Sequence, residues 1–439
     1  MKKKLVIMFL ISLLVFAFSM NASAFFDFLG EDESIEDIEL TLWHHEFVTD
    51  WPGRSSVVEF FENNTVLNVR DDYGPSTYRD IEQQFITLGR TGRPDVIEGL
   101  VDQLYTYKDA GLLQPLNEYW EYYADKEEFP ENLLEPLTVD GELYGVPYNN
   151  NVRLLLYRKS IFEKHDLDVP ETWADLVETA AYINENEEDM QGFIFTTESR
   201  EVRVFQEFKS FYYQLNDTMF DVSGDEVELV ATPEQIQQVL ELYYDMYFEG
   251  GINLDERGSD WQRTDYGYTA GDFAMVTGGQ WLWGHRGEDE SRGSVLDDTG
   301  VTAIPVAENG EPATFMEVKP IMINKHSDNH DAAWELLKEV VSKDFQMLNN
   351  SLSGMLSARE DAMEEEGIAN LKETYPNIAP EWWFSSFGDY LEIGVALDPV
   401  NWDEAQYMII DAVQNVIYEQ KTPEEAAQYL YSQLDRLNL

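Results

Sequence analysis

Eight aromatic residues fall where the sequence predicts strand ends and loops rather than the apolar stripe of a helix. They are Trp43, Tyr148, Trp261, Trp281, Trp283, Trp382, Trp383 and Trp402. Their chemistry suits a pyranose: a flat π face stacks on the C–H face of a sugar ring. Asp, Glu, Asn, Gln and Arg side chains can then satisfy the rim of hydroxyls. Ordinary packing competes for every such ring, and it is the better account of Trp120, Trp173 and Trp334.

Covalent chemistry finds little support. The chain has no Gly-x-Ser-x-Gly elbow, no Gly-x4-Gly-Lys-Ser/Thr phosphate loop and no Gly-x-Gly-x-x-Gly fingerprint. His326 and His330 are four apart, but they sit at the start of a predicted helix, where Asp328 and Asn329 read as caps. The acids between Asp221 and Glu228 lack calcium-loop spacing and read as a solvated turn. With no cysteine at all, disulfides, thiolate metal sites and cysteine nucleophiles are excluded. No cofactor or metal is implied. Among 85 acidic residues some pair could stand close enough for acid/base work, so a secreted glycosidase remains an alternative.

The elements that must position these residues begin after residue 24. Lys2 to Lys4, the apolar run Leu5 to Phe18 and Ala22-Ser23-Ala24 read as a Sec signal peptide (1–24) cleaved after Ala24. About 415 remaining residues are too many for one core, which points to two lobes. Losing the three signal lysines takes the formal net charge from −56 to −59. Self-repulsion of that size is tolerated where salt screens it, since the Debye length is only about 3 Å at 1 M. The acids are spread along the whole chain, so a salt-adapted surface explains them better than a cationic ligand does. Nucleic acid is excluded as a partner.

Ile38 to Trp43 alternates as a strand. Ser56 with Glu59 is placed as a capping box for a helix carrying Val57, Phe60 and Phe61. Val66 to Val69 reads as a strand, Tyr78 to Leu88 as a helix, and Asp95 to Ile97 as a short buried strand. Thr172 with Asp175, Thr232-Pro233-Glu234-Gln235 and Thr422-Pro423-Glu424-Glu425 mark further helix starts. Strands alternating with helices predict an α/β fold with a mostly parallel sheet.

Several segments resemble one family in collinear order. Gly92 to Gly99, then Tyr107 to Leu116, resemble the strand and "aGlLqPL" segment of the maltose-binding type of extracellular solute-binding proteins. Gly141 to Tyr148 followed by Leu156-Tyr157-Arg158-Lys159 is similar to that family's "G.lYGvPy…lyYNk" crossover, with Arg158 in place of the usual asparagine. Val169 to Leu176, Gly271 to Trp281, and Ile321 to Lys325 with Ala332 to Leu337 resemble its "P.TWdel", "GkaAM…GsW" and "AAWeFl" elements. Phe315-Met316-Glu317 departs from the Gly-Gly-Trp common in relatives.

The resemblance implies a two-lobed periplasmic-binding-protein fold of type II, hinged by three crossover segments near Pro147–Asn151, Thr314–Val318 and Gly354–Ser357. The lobes would be 38–147 plus 318–354 and 148–314 plus 357–439. It further implies a monomeric periplasmic subunit without catalytic activity, which captures a sugar or short oligosaccharide by cleft closure. The partner would be an ABC permease with its ATPase. A polyamine or a glycerol phosphoester is the alternative ligand. Candidate contacts follow by position: Trp43, His44 and Glu46 after the first strand, and Glu98, Gly99 and Asp102 after the next. Tyr148, Asn149, Asn150, Asn151 and Arg153 lie at the first crossing, and Glu317 at the second. Gly279, Gln280, Trp281 and Trp283 follow the "GsW"-like turn, with Trp261, Trp382, Trp383 and Trp402 as further stacking rings.

Overall fold

Two β-sheets organise the chain. The computed structural model describes residues 35–222, 227–286, 290–363 and 365–437. The expected signal segment lies outside these residues, as does part of the acidic turn after Asp221.

The alternating run Ile38–Trp43 is not one strand. Asp95 Oδ2 accepts from the backbone N–H (2.8 Å) and the hydroxyl (2.7 Å) of Thr41, which interrupts the ladder there. Glu39–Leu40 pairs in parallel with Asn68–Val69, and Leu42–Trp43 pairs in parallel with Val96–Glu98. The larger sheet then runs Leu356–Ser357, Val146–Val152, Thr314–Ile323, Val96–Glu98, Leu42–Trp43, with Gly394–Val395 beside the start of the long strand. The second sheet is ordered Thr299–Thr302, Leu154–Arg158, Phe273–Gly278, Gln191–Ile194.

Only Arg153 separates the strand Val146–Val152 of one sheet from Leu154–Arg158 of the other. This direct passage corrects the expectation of mostly parallel pairing. A chain that leaves one sheet for the next without a crossover helix, and later returns, makes antiparallel neighbours. Accordingly Val146–Val152 is antiparallel to both of its partners, and so is Leu154–Arg158. The three expected crossings are thus neighbours in one ladder: Glu317 faces Asn151, Val318 faces Asn150, and Leu356 faces Asn150 from the other side.

Helix starts follow the local chemistry closely. Thr172/Asp175, Thr232/Gln235 and Thr422/Glu425 each form the reciprocal capping box. The expected Ser56/Glu59 box does not form. That helix begins at Arg54 with Gly53 at the cap, so Ser56 is already inside its first turn. Pro233–Phe248, Asp403–Ile417 and Pro423–Leu434 pack on one another beyond the second sheet. The buried apolar residues form one continuous cluster that runs through both sheets. Two lobes therefore need not mean two isolated cores, because Val152, Leu154 and Phe315 carry the packing through the crossing.

Gly354 ends the helix Lys343–Ser353 in the left-handed region, at φ +80°. A Cβ there would lie 2.4 Å from Trp283 Cβ and 2.6 Å from the Gln280 carbonyl oxygen, so this helix end requires glycine twice over.

Candidate functional site

A cavity of about 740 Å³ opens between the elements of the two sheets. Asn151 and Glu317, on the paired strands Val146–Val152 and Thr314–Ile323, lie between its walls, and Arg153, between the two sheets, joins the second wall at Trp281. His45, Glu46, Tyr78, Asp102 and Gln103 line one wall. Arg203, Gln206, Trp261, Asp265, Trp281 and His285 line the other, and Gln406 and Tyr407 lie at one end.

The first wall is built by buried carboxylates. Glu98, at the end of its strand, accepts from the His45 backbone N–H (2.7 Å) and from Tyr78 Oη (2.7 Å). Those two bonds hold the His45 ring on Tyr78, with centroids 4.0 Å apart and planes within 17°. Burial, reinforced by Lys319, pushes His45 down to about 3, so it stays neutral near pH 7. Glu46 accepts from Asn349 Nδ2 (3.0 Å), Tyr148 Oη (3.1 Å) and Asn149 Nδ2 (3.3 Å), with Lys319 Nζ 3.4 Å away. Burial alone would raise its pKa, yet Lys319 and His44 hold the carboxyl below its ordinary range.

Trp281 organises the second wall. Its indole N–H donates to Asp265 Oδ2 (2.9 Å), and the guanidinium carbons of Arg153 and Arg203 lie 5.2 and 5.0 Å from its ring centroid. Asp265 pairs with Arg203 (2.5 Å) and lies 3.5 Å from His285 Nε2. Against the effect of burial, Arg203 and His285 hold Asp265 down to about 2. Trp261 stacks with His285 at 6.1 Å.

Contacts span the cavity. Gln206 Nε2 donates to Glu317 Oε2 (3.1 Å), Thr106 Oγ1 donates to Asp403 Oδ1 (3.0 Å), and Tyr266 Oη donates to the Asp50 carbonyl (3.2 Å). Carboxyls gather near the first two. Burial and neighbouring acids push Glu82 and Asp102 up to about 8, and burial lifts Glu317 to about 7. Near neutral pH this group of acids therefore carries protons.

Of the residues expected from sequence, Glu46, Asp102, Asn151, Arg153, Trp261, Trp281 and Glu317 line the cavity. The others do not. Glu98 and Tyr148 are buried behind the wall, where they orient Tyr78, His45 and Glu46. His44 is buried against Phe47 at 4.2 Å, because it follows the strand on the face turned inward. Trp43 packs on Gly74. Asn150 is buried in the middle of its sheet, with Val318 opposite it on one side and Leu356 on the other. Gly279 lies under the Trp281 ring, and the Gln280 side chain is buried away from the opening.

Trp283, Trp382 and Trp383 pack edge-on and tilted against one another, with centroids 5.3 to 6.2 Å apart. Trp383 donates to the Gln280 carbonyl (3.1 Å) and Trp283 to that of Asn377 (2.9 Å), so the trio braces the turn behind Gly354. Trp402 cages the buried Lys209 ammonium, 4.4 Å from its ring. These rings serve packing and not the cavity.

Sequence reasoning missed Tyr78, His45, Arg203, Gln206, Asp265 and Tyr407. One of them carried a signal. Asp265 follows Trp261 by four residues on Trp261–Ala270, so the two share one face of that helix.

Residues 57–377 match the family of bacterial extracellular solute-binding proteins. The chain belongs to that family. This solute-binding protein is 24% identical over 272 residues to a protein of Brucella abortus (strain 2308) named as a binding protein, covering 61% of this chain and 63% of the relative. The match thus spans less than two thirds of that relative's length. The arabinooligosaccharide-binding protein of Halalkalibacterium halodurans is 24% identical over 232 residues, covering 51% of this chain and 45% of that one. Among solved structures, maltose-bound MalE3 of T. maritima superposes with a TM-score of 0.75 at 22% identity, covering 90% of this chain and 98% of its own. The maltotriose-bound protein of Thermus thermophilus gives 0.70 at 18% identity, covering 90% and 99%. The fold of the solute-binding protein is therefore that of the maltose-binding type. Among the described residues, no helix is long and apolar enough to cross a membrane, and no group of three or more metal-ligating side chains is assembled.

Proposed function

We propose that the protein is the periplasmic capture subunit of an ABC importer, exported by the Sec route, acting as a monomer and leaving its ligand chemically intact. The ligand is a sugar or short oligosaccharide. One observation carries this reading: the cavity combines ring faces (Tyr78 on His45, Trp261 on His285, Tyr407) with a dense rim of amides, carboxyls and guanidiniums. Rings suit C–H faces and the rim suits hydroxyls. Sugar ligands named for similar proteins agree with it.

The lobes are 38–147 plus 318–354 and 148–314 plus 357–439, and the three paired crossings act as the hinge. Ligand drives closure by binding the closed arrangement more tightly than the open one; periplasmic binding proteins are the standing example of such hinge motion. The permease and its ATPase then receive the closed form.

The test is a titration of intrinsic tryptophan fluorescence in high salt with an oligosaccharide panel, run beside an assay for new reducing ends. Saturable fluorescence change without new ends is the expected result. Release of reducing ends would replace this reading with the glycosidase, and saturation by a polyamine alone would replace the ligand class.

A further inference from the structure

Two arginines, Arg153 and Arg359, are buried to the same degree, each 3% exposed. Their surroundings differ completely. Arg359 meets Asp361 (2.9 and 3.0 Å), Asp125 (3.1 Å), Tyr123 Oη (3.3 Å) and the Val341 carbonyl (3.2 Å). Arg153 gives one bond, from Nη2 to Gln206 Oε1, while its Nε and Nη1 are buried and meet no acceptor among the described residues. No carboxylate of the described residues pairs with it. The three nearby acids are engaged elsewhere: Glu207 accepts from Thr196 N–H (3.1 Å) and Oγ1 (3.2 Å), Glu317 from Val101 N–H (2.9 Å) and Gln206, and Asp265 from Arg203 and Trp281. Arg203 adds a second guanidinium over the same Trp281 ring, and it is this one that Asp265 contacts as an ion pair.

A buried cation is tolerated when it is paired and hydrogen-bonded. Arg359 obeys that rule inside the fold, whereas Arg153 lines the cavity with two buried donors that no acceptor among the described residues meets. We propose that the ligand supplies the missing partner, and that the sugar carries a carboxylate, as a uronic acid does, gripped by Arg153 from its perch on Trp281. A planar carboxylate matches two adjacent guanidinium donors in a way that a single hydroxyl does not. This rests on the carbohydrate reading above and narrows it. Trp281, expected to stack on a sugar, instead seats the arginines that read its charge.

The experiment uses the intact wild-type protein in high salt. Oligosaccharides from pectin and alginate hydrolysates are separated by anion exchange into acidic and neutral pools. Part of the acidic pool is treated to reduce its carboxyls to alcohols, and each preparation is assayed by thermal shift. The acidic pool should raise the melting temperature, and the neutral and carboxyl-reduced pools should not. Titration with the active fraction should show at least a tenfold loss of affinity for Arg153→Gln, with partial recovery in Arg153→Lys. An equal shift with the neutral or reduced pool would overturn the carboxylate assignment and leave sugar binding standing. A shift with sulfated galactan oligosaccharides alone would overturn it in favour of another oxyanion. No shift with any pool would overturn the assignment together with the carbohydrate reading. The wild-type comparison decides even if Arg153→Gln fails to fold.

Discussion

The two walls of the cavity solve the problem of buried charge in opposite ways. Around Glu46 the fold provides everything: three donors and the Lys319 ammonium surround one carboxylate. Around Arg153 it provides one acceptor for a guanidinium that is just as deeply placed. The first wall is finished before any guest arrives and can act as a fixed template. The second keeps unspent donors, so its interactions are completed only by binding. Preorganisation on one side and a deliberate vacancy of partners on the other is an arrangement suited to recognition rather than to stability.

That contrast can be broken most forcefully at Glu46. Glu46→Ala would strand Lys319, Tyr148 and two asparagines, and should cost about 3–5 kcal/mol of stability. Denaturant unfolding in high salt would measure it, and a loss below about 1 kcal/mol would mean that the wall is not held as described.

A middle-sized effect concerns Asp102, whose carboxyl is pushed up to about 8 from an ordinary 3.8. The folded chain then binds a proton there that the unfolded chain releases. Its contribution is complete at acid pH and drains away as pH rises from about 4 through 8, by at most about 1.4 kcal/mol per pH unit. Melting temperatures of wild type should fall more steeply between pH 6 and 8.5 than those of Asp102→Asn. Parallel slopes would remove Asp102 from the account.

The smallest change is expected at Arg153 itself. Arg153→Met removes a charge with no ionic partner, so stability should hold within about 1 kcal/mol or rise. A loss as large as that of Glu46→Ala would erase the difference between the walls.

Much of the fold was legible because its signals are local. Thr172, Thr232 and Thr422 announce helices through bonds made within four residues. The pairing direction was not legible, because it depends on the chain passing through Arg153 into a second sheet. At the site, polar residues around the expected crossings did best: Asn151, Arg153 and Glu317 reach the cavity. The tryptophans did worst. An indole in a loop has the same sequence signature whether it faces a cleft or braces a turn, and Trp283, Trp382 and Trp383 brace a turn. Arg203 and Tyr78 were hidden for a related reason: which side of a helix looks across an opening is fixed only when the elements dock.

Three strands laid edge to edge have a mechanical corollary. Because Val146–Val152 is hydrogen-bonded to Thr314–Ile323 on one side and Leu356–Ser357 on the other, no single strand can flex alone. Any rotation of one sheet against the other must curve the whole ribbon about a common line, as a strap bends and a cord does not. Wobble in other directions is thereby suppressed, and a defect planted in one strand, or beside it as a side chain at Gly354 would be, would be felt as stiffness or slack along all three.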